Sequence, residues 1–280
     1  MHGKVIVITG ATSGIGQVAA ERLAGMGARL VLVARDKVRG QAALARLRER
    51  APGVAHSIHY ADLSRLVEMK RAAAEIAAAE SRIDVLINNA GALFSSRHVT
   101  EDGMELTFAT NHMAYVVLAH GLRQRLIASA PARVVNTASA AHKGAQLDFA
   151  DLQSMSGYRG FTVYGRSKLC NILFTRELAR RWVDTGVTAN CFHPGFVATR
   201  FGDESGGFFS YVVRMAKTFA LSPEKGADTL VHLASSPEVA RVSGGYFYKC
   251  RPATPSKEAR DDAVAGRLWL ESARLGAIEG

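Results

Sequence analysis

Short β-branched runs at residues 5–8, 30–33, 56–60, 85–87, 134–135, 187–192 and 246–248 alternate with stretches of helical composition along the chain. That rhythm is the pattern of repeated strand–helix–strand units. Most of the runs are apolar at consecutive positions, so both faces of each strand need cover, which helices supply around a parallel, doubly wound sheet. Helices are predicted over 16–25, 37–50, 66–79, 106–128 and 161–182, where Ala, Leu, Arg and Glu are frequent. No linker or break in composition divides the chain. Residues 1–280 are therefore expected to form a single α/β domain, a sheet of about seven parallel strands with helices on both faces.

The first run leads straight into Thr9-Gly10-Ala11-Thr12-Ser13-Gly14-Ile15-Gly16 and then into a helix. Glycines at such a turn let the backbone approach a pyrophosphate, and the helix N-terminus stabilises its charge. A plain tight turn would use glycine too. Placement after the first strand points instead to Gly10, Thr12, Ser13, Gly14, Ile15 and Gly16 as a nucleotide cradle in a Rossmann-type fold. The second run ends in Ala34-Arg35-Asp36, where such a fold inspects the adenosine ribose. An acidic residue there bonds the ribose hydroxyls, whereas a guanidinium binds a 2′-phosphate through its planar fork. Arg35 therefore points to NADP(H), while the adjacent Asp36 keeps open a reading of Arg35 as the start of a surface helix.

Tyr164 and Lys168 stand four apart in a helical stretch, which puts them on one face. A free tyrosine titrates near about 10, too high for efficient proton exchange at neutrality. A neighbouring ammonium stabilises the phenolate, so Lys168 is expected to lower the pKa of Tyr164. Ser139 follows the run at 133–136, at the C-terminal edge where parallel sheets place their sites. Its hydroxyl can hold a substrate oxygen, or simply cap a short helix.

These residues converge on a family. Thr9-Gly-x-x-x-Gly-Ile-Gly16, Asn88-Asn-Ala-Gly91, Asn111, Ser139, Tyr164-x-x-x-Lys168 and Pro194-Gly195 stand in the order seen in short-chain dehydrogenases/reductases, and the resemblance covers nearly the whole chain. The branch it looks most like is the retinol dehydrogenase and carbonyl reductase group, from Ala34-Arg-Asp36, Asp151-Leu-Gln153, Phe174-Thr-Arg-Glu-Leu178 and His193-Pro-Gly195. The resemblance implies an NADP(H)-dependent oxidoreductase that interconverts a carbonyl and an alcohol. It implies Tyr164 as the acid/base, Ser139 as the group orienting the carbonyl, and Lys168 as both tuner of Tyr164 and partner of the nicotinamide ribose. Asn111 would anchor a water in a proton relay. By the same carry-over, Asp62 and Leu63 border the adenine, and Asn89, Ala90 and Gly91 the ribose side. Pro194, Gly195, Val197 and Thr199 would flank the nicotinamide. Two departures stand out: Ala138 occupies a position where the family often has a second serine, and the stretch from Ser139 to Tyr164 is long. Its Leu147, Phe149 and Met155 would wall the pocket or form a surface excursion.

Composition narrows the rival classes. The 280 residues carry a formal charge of +10 and a pI near 9.8, which favours an anionic partner. The basic residues are scattered rather than clustered with aromatics, so no nucleic-acid partner is expected. Cys170, Cys191 and Cys250 are odd in number and far apart, and the histidines lack ligand spacing, so neither a disulfide framework nor a metal site is expected. No run is long and apolar enough to span a bilayer, and 5–8 is too short for a signal peptide. A cytoplasmic protein, with a homo-oligomer among its compatible states, is the expectation.

After Gly195, Phe201, Gly202, residues 206–213 and Phe219 make an apolar segment with glycine hinges. A substrate lid over about 198–221 fits this composition and implies a bulky hydrophobic aldehyde, ketone or alcohol, such as a retinoid-like or lipid-derived carbonyl. Core packing or a dimer contact would use the same residues. A catalytically silent NADP(H)-binding sensor of the same fold is the alternative; its mark would be a broken catalytic set, whereas all four residue types are present here.

Overall fold

The computed structural model describes residues 1–195 and 222–279. Strands β1 (Val5–Thr9), β2 (Arg29–Ala34), β3 (Ser57–Tyr60), β4 (Val85–Asn88), β5 (Ala132–Thr137), β6 (Val187–Phe192), β7 (Tyr246–Tyr248) and β8 (Arg251–Pro252) form one sheet in the order β3-β2-β1-β4-β5-β6-β7-β8. The first seven pair in parallel, as the alternation of runs predicts, and β8 adds an antiparallel edge. That two-residue edge strand is too short to leave a pattern in the sequence. His56 lies outside β3; its buried ring accepts the Leu30 amide at Nδ1, 3.1 Å away.

Side chains alternate across each strand, so the sheet feeds two cores. Val7, Val31, Val33, Leu86 and Val134 face one, Ile6, Ile8, Leu30, Leu32 and Ile87 the other. The first core is covered by α3 (Leu66–Ala79), α5 (Ala114–Gly121), α7 (Gly160–Arg181) and α9 (Asp262–Gly276), the second chiefly by α1 (Gly14–Gly25), α2 (Lys37–Arg50) and α8 (Pro223–Ser235).

The helix predicted over 106–128 is broken. It consists of α4 (Leu106–Phe108), a π-helical turn over Ala109–Met113, α5, and α6 (Arg123–Ala128), with Leu122 outside helical geometry between the last two. Helices α8 and α9 carry start signals that the strand-and-helix rhythm did not single out. Ser222 accepts from the Lys225 amide ahead of Pro223 in the first turn, and the Asp261 carboxylate accepts from the Val264 amide at 3.0 Å.

Buried polar ties join α7 to the sheet. Asn88 Nδ2 donates to Asn136 Oδ1 (2.9 Å), and Asn136 Nδ2 donates to Thr175 Oγ1 (2.9 Å). Strand order reverses between β1 and β4, which opens a crevice beyond their C-terminal ends. The expected lid at 198–221 lies outside the described residues. No described helix is long and apolar enough to cross a membrane.

Candidate active site

The β1–α1 turn carries Gly10, Thr12, Ser13, Gly14, Ile15 and Gly16, with Ser13 at the N-cap of α1 and no acidic side chain in the first helical turn. An anion at this helix end therefore meets no like charge. Gly16 is obligatory here: a Cβ would collide with the Gly10 carbonyl oxygen and with Asn89 Nδ2. Asn89 ties the neighbouring strand ends. Its amide and that of Ala90 both donate to Thr9 Oγ1 at 2.9 Å, and its side chain reaches Gly10 O and Thr137 Oγ1, at 3.2 Å each. It locks the ends of β1, β4 and β5 together, which brings Thr9, the first residue of the glycine motif, and Thr137, which no sequence motif singled out, into the site.

At the end of β2, Arg35 is exposed and makes no ion pair among the described residues, whereas Asp36 is engaged. The Asp36 carboxylate caps α2 by accepting the Arg39 amide at 2.8 Å and lies 3.7 Å from the Arg39 guanidinium. Asp62 accepts from both the amide and the hydroxyl of Ser64 (3.0 and 2.8 Å), shaping the turn before α3, and Leu63 is buried in the core.

Ser139, Tyr164, Lys168 and Asn111 come together where β4, β5 and α7 meet. Ser139 sits just past β5 at the N-cap of a 3-10 turn, with Oγ accepting from the Ala141 amide (3.2 Å) and hydrogen-bonded to Tyr164. Ser139 thus caps the turn while its hydroxyl also meets Tyr164. Lys168 Nζ donates to the Thr137 carbonyl (3.1 Å) and lies 5.6 Å from the Tyr164 ring centroid and 5.7 Å from that of Tyr115. Tyr115 is completely buried and ties its hydroxyl to Ala90 O at 2.9 Å. Its signal in the sequence was its place four residues beyond Asn111.

Asn111 lies in the π-helical turn. Its side chain does not bond its own backbone; it grips that of Ala92, accepting from N (2.7 Å) and donating to O (2.8 Å), and donates to Ser167 Oγ at 3.0 Å. Gly91 completes the cluster, since a Cβ there would lie 3.1 Å from Asn111 Oδ1 and 3.3 Å from Lys168 Nζ. Pro194 and Gly195 close the described part of the site, with the Gly195 amide donating to His193 Nδ1 (3.1 Å). Val197 and Thr199 lie outside the described residues. In the long 139–164 stretch, Leu147 and Phe149 pack on the core, Phe149 beneath the Arg267 guanidinium (4.2 Å), while Met155 is exposed.

The electrostatics depart from the sequence expectation. Burial pushes the Tyr164 phenol up to about 12, opposed only in part by its bond to Ser139, and burial brings Lys168 down to about 7. Burial thus keeps the phenol protonated at neutrality and leaves Lys168 divided between ammonium and amine, because the loss of water outweighs the attraction between the two groups. At neutral pH the Tyr164 phenol carries its proton.

The turn carrying Ser139 and helix α7 touch without room to spare. A Cβ on Gly165 would meet the Ala141 carbonyl oxygen at 2.6 Å. Gly165→Ala is expected to push the Ser139 turn away from Tyr164 and to lower kcat about ten- to a hundredfold in a protein that still melts cooperatively. Unchanged kcat would remove the close packing from the account.

A family model described as short chain dehydrogenase matches residues 4–206. Human retinol dehydrogenase 13 is 39% identical over 99% of this chain and 86% of its own length. Among solved structures, an uncharacterised protein of Mycobacterium paratuberculosis superposes with a TM-score of 0.80 at 30% identity, covering 99% of this chain and 95% of that one. A short chain dehydrogenase of Burkholderia cenocepacia in complex with NADP gives a TM-score of 0.70 at 26% identity, covering 88% and 96%.

Proposed function

Because the chain belongs to the short-chain dehydrogenase family and is accordingly an NAD(P)-dependent oxidoreductase of the carbonyl/alcohol class, we propose that its cofactor is NADP(H) and its substrate a bulky hydrophobic aldehyde or ketone, retinoid-like or lipid-derived, or the corresponding alcohol. The meeting of Tyr164, Ser139, Lys168 and Asn111 in one buried cluster carries the reading. A silent sensor has no use for an intact proton-transfer set.

The cofactor preference is supported by the division of labour at the end of β2. The Asp36 carboxylate is taken up by the α2 cap, while Arg35 stands exposed and suited to a 2′-phosphate. The Burkholderia relative, in complex with NADP, agrees. The substrate class is supported by the name of the human relative, by the apolar composition of 201–219, and by Phe161, an exposed ring 6.4 Å from that of Tyr164.

The residues that would hold the cofactor are the α1 N-terminus with Gly10, Thr12, Ser13, Gly14, Ile15 and Gly16, then Arg35, Asp62, Leu63, Ala90 and Gly91, with Lys168 toward the nicotinamide ribose. When bound, the cofactor supplies or accepts the hydride. Tyr164 Oη gives its proton to the carbonyl oxygen during reduction and takes one from the alcohol during oxidation. Ser139 donates to the same oxygen and keeps it facing Tyr164. The Lys168 ammonium stabilises the phenolate as it forms, and Asn111 keeps the Ala92 backbone and α7 in register behind it.

The test is NADPH consumption by the purified protein against hydrophobic aldehydes and ketones including retinal, beside NADH and an Arg35→Asp variant. Turnover with NADPH, weak with NADH, is expected, and Arg35→Asp should erode the preference by about ten- to a hundredfold, the worth of a charge-assisted contact. Tight NADPH binding without turnover on any carbonyl would favour the sensor. Equal use of both cofactors would overturn the role given to Arg35.

A further inference from the structure

His142 is completely buried three residues beyond Ser139, and the roles above leave it unused. Its Nδ1 lies 2.6 Å from the Ser139 carbonyl oxygen and its Nε2 lies 3.1 Å from the backbone nitrogen of Ser256. A carbonyl can only accept and a backbone amide can only donate. The two contacts therefore fix the tautomer: Nδ1 carries the hydrogen and donates to Ser139, while Nε2 is bare and accepts from Ser256. The ring is held edge-on to Tyr246, with centroids 5.3 Å apart, and Tyr246 in turn stacks with His193. The charged and titratable groups facing it are Tyr246, Lys143, Glu258 and His193, and burial favours its neutral form.

The Ser139 turn is thus pressed between two elements. On one side Gly165 of α7 admits the Ala141 carbonyl at close range; on the other the imidazole spans to the C-terminal segment at Ser256. A parallel tie lies beside Asn111, where His112 Nε2 and Ser272 Oγ of α9 are 2.8 Å apart. The C-terminal segment therefore reaches a histidine next to each of two site residues that come from other elements.

We propose that His142 is a positioning residue for Ser139: its neutral Nδ1–H tautomer sets the serine by its carbonyl and makes that placement depend on the docked C-terminal segment at Ser256. The inference rests on the oxidoreductase reading given above. A hydroxyl that must meet both Tyr164 and a substrate oxygen tolerates little displacement, since an error of about 1 Å costs on the order of a hundredfold in rate.

The test uses the full-length enzyme with His142→Asn, His142→Gln and His142→Leu. Asparagine sets an amide N–H near the place of Nδ1 and keeps the donor to Ser139. Glutamine reaches toward Ser256 and gives that donor up, and leucine gives up both contacts. NADPH affinity is expected to stay within about threefold in all three. The kcat should fall about ten- to a hundredfold in the glutamine and leucine variants and stay within about fivefold of wild type in the asparagine variant. Wild-type kcat in the glutamine or leucine variant, or equal losses in the asparagine and glutamine variants, would overturn the proposal. Should His142→Leu fail to fold, the asparagine and glutamine pair decides. Nitrogen-15 spectra of the imidazoles, with His142 assigned by its loss in His142→Asn, give a readout independent of turnover. The Nδ1–H tautomer is expected, and an Nε2–H tautomer would overturn the proposal. Absence of turnover in the wild-type protein would instead count against the oxidoreductase reading.

Discussion

Replacing Tyr164 by phenylalanine is expected to lower carbonyl reduction by about a hundred- to ten-thousandfold, the range for losing a positioned general acid. NADPH affinity should stay within about threefold, because the ring that packs beside Lys168 remains and only the hydroxyl bonded to Ser139 is lost. Single-turnover reduction and fluorescence titration of NADPH separate the two quantities. A fall of less than about tenfold would mean that another group delivers the proton. The raised phenol adds a pH signature. With Tyr164 near 12, the donor stays protonated through neutrality, so reduction should not decline with pH until well into the alkaline range. Oxidation, which needs the proton acceptor, should climb over the same range.

The second large effect is on stability. Acidification from pH 7 to pH 5 is expected to lower the melting temperature markedly. Burial holds His112 down to about 3 and His120 and His193 to about 4, against about 6.5 in an unfolded chain. Above pH 6.5 these rings are neutral in both states and cost nothing. Below it the unfolded chain binds protons that the fold refuses, so stability falls with pH until the folded values are reached. Each fully refused proton costs ~1.4 kcal/mol per pH unit; with the half-exposed His193 counted for less because solvent screens it, the rings still remove a few kcal/mol between pH 7 and pH 5, a large share of a net stability of about 5–15 kcal/mol. Lys168 acts in the same direction at higher pH. Its folded value of about 7 lies below its ordinary 10.5, so its own contribution rises between those limits, until the Cys170 and Cys191 thiols, pushed up by burial, oppose it from about pH 9. The raised phenols of Tyr115, Tyr164 and Tyr246 deepen that fall beyond about pH 10, where the unfolded chain gives up further protons that the fold retains. Melting curves from pH 5 to pH 11 should therefore rise, peak on the alkaline side and fall. A curve flat between pH 5 and pH 7 would contradict the neutral burial of the histidines.

The two effects meet in the same architecture. The burial that keeps Tyr164 protonated also lowers the proton affinity of His112 and His142, the rings that tie the surroundings of Asn111 and Ser139 to the C-terminal segment. A pocket dry enough to move a proton on demand is one that tolerates stray charge poorly.

Much of this molecule was written locally. Runs of β-branched residues placed all seven parallel strands, because side-chain period and two-sided burial are properties of short segments. The four-residue spacing of Tyr164 and Lys168, the serine after the β5 run and the glycines after β1 were legible for the same reason. Tertiary structure decided what depends on distant partners. The π-helical turn at Asn111 goes with a grip on the Ala92 backbone, nineteen residues away in sequence. The commitment of Asp36 to a helix cap, which separates it from Arg35 in role, is a matter of how the chain enters α2. The raised pKa of Tyr164 reversed the sequence expectation, because the spacing reports its proximity to Lys168 and not the loss of water around them. The strut from Ser139 through His142 to Ser256 joins residues more than a hundred positions apart, and only the closing of the C-terminal segment over the sheet brings them within reach of one imidazole ring.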